Sequence, residues 1–357
     1  MRIIAVLPLI AALMIAPQAR ADDLTGLENI IHAWLNSPHG DHHSLSFTYW
    51  NEQGSVPENC AICHSETGFL DFLGSDGSEP GSVHKPGVIN SPIGCASCHT
   101  REAHALDEVT FPSGVSVDGL GSSATCMVCH QGRQSSDSVT ARVDGLAEDE
   151  VSDELAFLNI HYAASAATML GAEARPGYQY DGRSYAGRFM HVPGADTCVA
   201  CHEPHSLAVE PQGCLDCHRG VDDLRDIRTQ HRDFAGTGDR SGGIHSEILA
   251  MQDQLLGAIR LYAAEVAGSP IAYVGSFPYF FEDPSGTGDL PSDQATRDNR
   301  YQHWTPRLLK AAYNYQVALK DPGGYVHNPR YMLQILYDSL ESLSEQVSID
   351  MSAMARP

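Results

Sequence analysis

The 357-residue chain carries 45 acidic against 22 basic side chains, a formal charge of −23 at neutral pH, with 42% hydrophobic and 8% aromatic residues. So acidic a surface repels phosphate backbones and anionic lipid headgroups. This excludes nucleic acid as a partner and favours a basic protein or a salty medium.

In chain order, the first 21 residues read as an export signal: Arg2 at the positive end, an apolar run over 3–16, and Ala19-Arg20-Ala21 as a small-x-small cleavage site before Asp22. That run is short for a bilayer span, and no later segment reaches the roughly 20 apolar residues a spanning helix needs. The expectation is an exported protein without a transmembrane segment, periplasmic or extracellular. Residues 24–35 show a short helical pattern (Leu24, Leu27, Ile30, Ile31, Trp34) that leads into a turn-rich histidine cluster, His39, His42 and His43.

One pattern then recurs five times: Cys60-Ala-Ile-Cys63-His64, Cys95-Ala-Ser-Cys98-His99, Cys126-Met-Val-Cys129-His130, Cys198-Val-Ala-Cys201-His202 and Cys214-Leu-Asp-Cys217-His218. All ten cysteines fall in these boxes. Disulfides, zinc or a redox dithiol would each use paired cysteines, but none requires a histidine directly after the second one. C-x-x-C-H is the attachment signature of c-type haem. Two thiols separated by two residues reach the two vinyl groups of one porphyrin, and the next residue sets an imidazole under the iron as proximal ligand. The expected cofactors are therefore five covalently attached haem c groups.

Between the boxes lie loops and further histidines. His84 sits in the glycine- and proline-punctuated loop 74–88, and His104 follows the second box. Residues 111–117 read as a short strand. Arg133, just after the third box, has the planar fork that suits a haem propionate. Residues 155–170 read as helix, with His161 before an alanine-rich face that a flat porphyrin can approach. A Tyr/Gly-rich turn or hairpin follows at 178–185, and then Met190 and His191, which compete as ligands. The last two boxes begin 16 residues apart, so their haems are neighbours. His205, between them, is too near its own box to bend under the same iron and is expected on a neighbouring haem.

After residue 232 the composition changes. Residues 233–239 read as a Gly/Asp-rich linker without the ligand spacing of a calcium-binding EF-hand loop. Ile244, Ile248, Met251, Leu255, Ile259, Tyr262 and Val266 step by three and four as one helix. A second helix opens at Thr305-Pro306, as N-cap and first-turn proline, and ends before Asp321. A third opens at Asn328-Pro329 and is lined by Leu333, Leu336, Leu340, Leu343 and Val347, with His327 just outside its start. The reading is mainly α with extensive irregular loops, divided into a signal (1–21), a pentahaem-binding domain (22–232) and a C-terminal helical domain (233–350). The haem-bearing part has few apolar periodic segments of its own, so the macrocycles supply its core.

With five such boxes the chain resembles the multihaem c-type cytochromes. The segments around His39, His161, His191, His205 and His327 are similar to the distal-ligand segments of soluble multihaem cytochromes with doubled boxes. The resemblance implies one of these imidazoles as sixth ligand per haem, without saying which serves which. Two imidazoles per iron close the metal and imply low-spin haems that carry electrons between a redox donor and acceptor, or along a self-associated haem wire. The C-terminal helices resemble those of multihaem nitrite reductase and hydroxylamine oxidoreductase relatives. That implies an alternative, a pentahaem oxidoreductase of small nitrogen or sulfur oxyanions, in which Arg133, Tyr178 and Tyr180 are available to an open distal face. Against it, all five boxes end in histidine, whereas many of those reductases carry lysine at the catalytic box.

Overall fold

The computed structural model describes residues 18–357, and the export signal expected over 1–21 lies outside them for its first 17 positions. The described chain is mainly helical, with long irregular connections. Among the described residues the strands form two short antiparallel ladders, Val109–Thr110 with Ser116–Val117 and Ile271–Tyr273 with Phe280–Glu282. The chain divides into two compact units. One comprises residues up to Thr100 together with His202–Val209; the other comprises Arg101–Cys201 and Glu210–Pro357.

The first unit is built on two consecutive helices, Glu58–His64 and Glu66–Leu73, joined at Ser65. Their elbow is tight because Gly68 has no side chain: a Cβ there would overlap the carbonyl and methyl of Ala61. The second helix also holds the next one, Cys95–His99, since Glu66 Oε1 accepts the Ala96 N–H at 3.1 Å. Trp34 closes the unit by donating its indole N–H to the Ile93 carbonyl at 2.8 Å. Within this unit the buried hydrophobic side chains are Phe47, Val56, Ala61, Phe69 and Leu73. At roughly 1.5–3 kcal/mol for each fully buried large side chain, such a core offsets little of the entropy of ordering so many residues. The helical pattern expected over 24–35 lies in the helix Gln18–Leu35, where Leu27, Ile30 and Ile31 are exposed and Trp34 is half-buried.

The second unit owns a true core. Helices Ile244–Glu265, Pro306–Lys320 and Pro329–Ser344 pack on one another, and the expected stripes lie inside: Met251, Leu255, Ile259 and Tyr262 on the first; Leu333, Leu336, Leu340 and Leu343 on the third. Their starts are capped as the sequence predicts. Thr305 Oγ1 accepts the Leu308 N–H at 3.2 Å and Asn328 Oδ1 the Tyr331 N–H at 3.1 Å, each ahead of a first-turn proline. Asn314, fully buried in the middle helix, receives the Tyr178 N–H at 2.6 Å and donates to the Tyr178 carbonyl at 3.0 Å. That pair staples an irregular segment onto the helices.

Three expectations need correction. Residues 155–170 are helical only over Ser165–Leu170. Leu155, Leu158 and Ile160 are buried, but the backbone runs irregularly through positive φ at His161 (79°) and Ala163 (53°). Its polar groups are used elsewhere, with Ile160 O accepting from Arg133 N at 2.8 Å and Ala163 N donating to Lys320 O at 3.0 Å. Residues 111–117 are a hairpin turn and its second strand, closed by the bond from Phe111 N to Val115 O at 2.9 Å. The expected linker at 233–239 is pinned: Phe234 and Ala235 are buried and donate their N–H groups to Glu247, itself paired at 2.6 Å with Arg228. His327 lies just outside the start of the third long helix, as expected, at the end of a one-turn helix Gly324–His327.

Candidate functional site

Each box sits on a helical turn. The first ends the helix Glu58–His64, the second is the helix Cys95–His99, and the third ends Ser123–Cys129, with His130 as its cap. The fourth begins as Cys198–Cys201, and the fifth follows Gln212–Leu215, with His218 N–H on the Cys214 carbonyl at 2.9 Å. In helical geometry positions i, i+3 and i+4 share a face, so each turn presents two thiols and an imidazole to the same side. One edge of a porphyrin needs that arrangement. All ten cysteines are exposed or half-buried, as attachment requires. Among the described residues no three His, Cys, Asp or Glu side chains converge as a zinc site would need; a haem iron asks the protein only for axial ligands.

Three of the five box histidines are oriented from behind. Nδ1 of His64 meets the Ser46 carbonyl at 2.9 Å, that of His130 the Ala163 carbonyl at 3.0 Å and that of His202 the Leu207 carbonyl at 3.2 Å. A carbonyl only accepts, so Nδ1 carries the proton and Nε2 keeps its lone pair for a metal. The irregular path of residues 160–166 is what delivers the Ala163 carbonyl, and Ala166 N–H bonds back to the His130 carbonyl at 3.0 Å. In the same unit, Cys198 N–H bonds Ser123 Oγ at 3.2 Å and so ties the fourth box to the third-box helix.

The expected distal histidines fall into different settings. The rings of His99 and His205 are nearly parallel, 9° apart in plane with centres at 6.3 Å, and those of His191 and His218 stand at 5.9 Å and 40°. Two imidazoles bound through nitrogen at about 2 Å to one metal have ring centres roughly 6 Å apart. Of the two competing neighbours, His191 is the one whose ring stands beside His218, while Met190 is exposed. His327 is held on Nδ1 by the buried Asp321 at 2.8 Å; burial opposes its protonation, but Asp321 outweighs this and raises its pKa, with Cys198 adding in the same direction. His161 lies in the irregular stretch beside the third box, its N–H on Asn159 Oδ1 at 2.9 Å. Of the three clustered histidines His39 is half-buried, while His42 and His43 are exposed with ring centres 4.1 Å apart.

His84 gains weight. Its Nδ1 donates to Asp71 Oδ1 at 3.1 Å, and that carboxylate is almost wholly buried. Sequence spacing gives no sign of this pair, because the two residues meet only through the turn after the helix Glu66–Leu73. Tyr178 and Tyr180 are built into the helical core, the latter donating to Ser339 Oγ at 3.3 Å. Arg133 is exposed after the third box. Burial pushes the thiols of Cys98 and Cys201 up; for Cys201 the next cause is Cys214, so the fourth and fifth boxes lie within each other's field.

Relatives are found across most of the chain. A protein named C-type polyheme cytochrome OmcB, from Geobacter sulfurreducens, is 25% identical over 389 residues, covering 89% of this chain and 48% of its own length. C-type polyheme cytochrome OmcC of the same organism is 26% identical over 84% of this chain and 45% of its own length. The chain therefore spans about half the length of the curated relatives it matches. No family model and no solved structure matches it. The resemblance to multihaem c-type cytochromes drawn from the boxes is shown by these relatives as well.

Proposed function

We propose that this chain, a relative of the polyhaem c-type cytochromes, is an exported pentahaem electron carrier whose irons are closed by two histidines each. The observation that carries this is the pairing of box histidines with non-box histidines at ring separations suited to one shared iron, His99 with His205 and His191 with His218. Five boxes on five helical turns support the count of five haems. In this reading residues 22–232 carry the haems and 233–350 form the helical support. When bound, each haem supplies a one-electron Fe(II)/Fe(III) couple. The chain's own residues do the rest: cysteines anchor the macrocycles, carbonyl-backed histidines set the proximal tautomer, and carboxylate-backed histidines such as His205 and His327 sharpen the distal donors.

Donor and acceptor are other redox proteins, and the acidic surface selects partners with a basic docking face. Passage through the export signal places the carrier in the periplasm or outside the cell, and assembly into a haem wire is a further arrangement of the same parts. Among the described residues no helix is long and apolar enough to cross a membrane. The test is optical and magnetic. The reading expects low-spin spectra for all haems and no carbon monoxide uptake by the reduced protein. A high-spin haem that binds nitrite or hydroxylamine would move the role to an oxidoreductase of small nitrogen or sulfur oxyanions.

A further inference from the structure

The segment His202–Val209 carries two imidazoles, each held at its Nδ1 from within the segment. It folds on itself through the bonds from Glu203 N to Ala208 O and from Leu207 N to Glu203 O, both at 2.8 Å, with Leu207 at a φ of 62° and His202 bridged to Val209. Inside this knot the Leu207 carbonyl takes Nδ1 of His202, while Glu203 Oε1 takes Nδ1 of His205 at 3.1 Å and Oε2 takes the His205 N–H at 3.1 Å. Each ring is thus fixed with Nε2 outward. His202 is the proximal histidine of the fourth box, and His205 lies parallel to His99 of the second.

We propose that His205 is the sixth ligand of the haem on the second box, sharing its iron with His99, so that one knot bears an axial ligand of two different haems. This rests on the haem-binding reading above, which already pairs His99 with His205, and goes beyond it by placing axial ligands of two different haems on one short segment. Two ligand-bearing residues three positions apart are separated by at most about 11 Å of backbone. In this proposal the haems of the second and fourth boxes are neighbours held by one segment, although about 100 residues separate their cysteines. The order of electron flow is then not the order of the boxes in the chain. Glu203 is the positioning residue: its two oxygens orient the ring and increase its donor strength through the Nδ1 proton.

The experiment uses the holoprotein and counts haems by mass and high-spin irons by electron paramagnetic resonance. His205→Gly is expected to keep all its haems, to show one high-spin iron, and to return to low spin on addition of imidazole. The same substitution in a Cys95→Ala, Cys98→Ala background, which lacks the second haem, is expected to add no high-spin iron. A new high-spin iron in that background, or none in the intact one, would overturn the assignment. His205→Met covers the case in which the glycine variant fails to fold: one haem should stay low-spin with a raised potential, as His/Met ligation gives, and an unchanged set of potentials would count against the proposal. A wild-type mass without attached haem would instead overturn the parent reading, so the two failures are distinguishable.

Discussion

Asp71 and His84 form a buried-to-exposed couple: a carboxylate with 1% of its side chain exposed accepts from the Nδ1 of a histidine that is 44% exposed, at 3.1 Å. The same carboxylate also accepts the backbone N–H groups of His84 at 2.7 Å and Lys85 at 3.2 Å. Burial alone would raise its pKa, but these bonds lower it. A charge removed from water is costly unless donors satisfy it, as His84 and Lys85 do here. What the carboxylate holds is an imidazole with Nε2 turned outward, the arrangement of a metal ligand backed by carboxylate. The expected outcome for His84→Ala is an unchanged number of haems by mass and one haem converted to high spin. Low-spin spectra identical to wild type would remove His84 from the ligand set.

The boxes and the three long helices were legible because each is written in local chemistry: a fixed spacing of donors, an N-cap with proline behind it, a stripe of period 3.6. What escaped is what tertiary contacts decide. Residues 155–163 have helical composition, yet they lie irregularly because the third box needs the Ala163 carbonyl behind His130 and because Lys320 and Arg133 occupy the neighbouring backbone groups. The pairing of His205 with His99 joins residues more than 100 apart, and the Asp71–His84 couple depends on a turn, so neither leaves a periodic trace in the chain.

Among its described residues the first unit has five buried hydrophobic side chains, against the extensive core of the three-helix unit, so on the proposed haem-binding reading it is the first unit that takes its core from cofactors. Replacing Cys60 and Cys63 by Ala is expected to lower the mass by one haem and to expose the first 100 residues to protease, while the helices Ile244–Glu265, Pro306–Lys320 and Pro329–Ser344 survive as a resistant fragment. Limited proteolysis followed by mass spectrometry reads both effects. Equal resistance of the two units in that variant would show that the first folds without its haem.

Asn314 satisfies both backbone groups of Tyr178 inside the helical core and donates as well to Ser339 Oγ at 3.0 Å. Asn314→Ala leaves a buried N–H and C=O unpaired, a cost of about 2–4 kcal/mol. Denaturant titration should show that loss in the helical unit, with haem content and spin state unchanged. A loss below about 0.5 kcal/mol would mean that water or a shifted side chain replaces the amide.

Asp149 supplies the pH-dependent part of the same unit. It accepts from Arg307 Nε at 2.6 Å, Arg307 Nη2 at 3.2 Å and the buried Tyr262 hydroxyl at 2.7 Å. Burial acts to raise its pKa, but these donors outweigh it and hold the carboxyl below its ordinary value of 3.8. Because the folded pKa is depressed, the ionised group contributes stability in full above the unfolded value near 4, and that contribution is lost as pH falls through the folded value. Arg307 keeps other acceptors, the Ser342 carbonyl and Glu345 Oε2, each at 2.7 Å. With Asp149 also part-exposed, the pair is worth only about 1–2 kcal/mol. Asp149→Asn should therefore destabilise the unit by about that amount at pH 7, and the gap to wild type should close below the folded pKa. Chemical denaturation of both proteins at pH 7 and near pH 2 measures it, and a gap that persists undiminished in acid would assign the loss to packing rather than to charge.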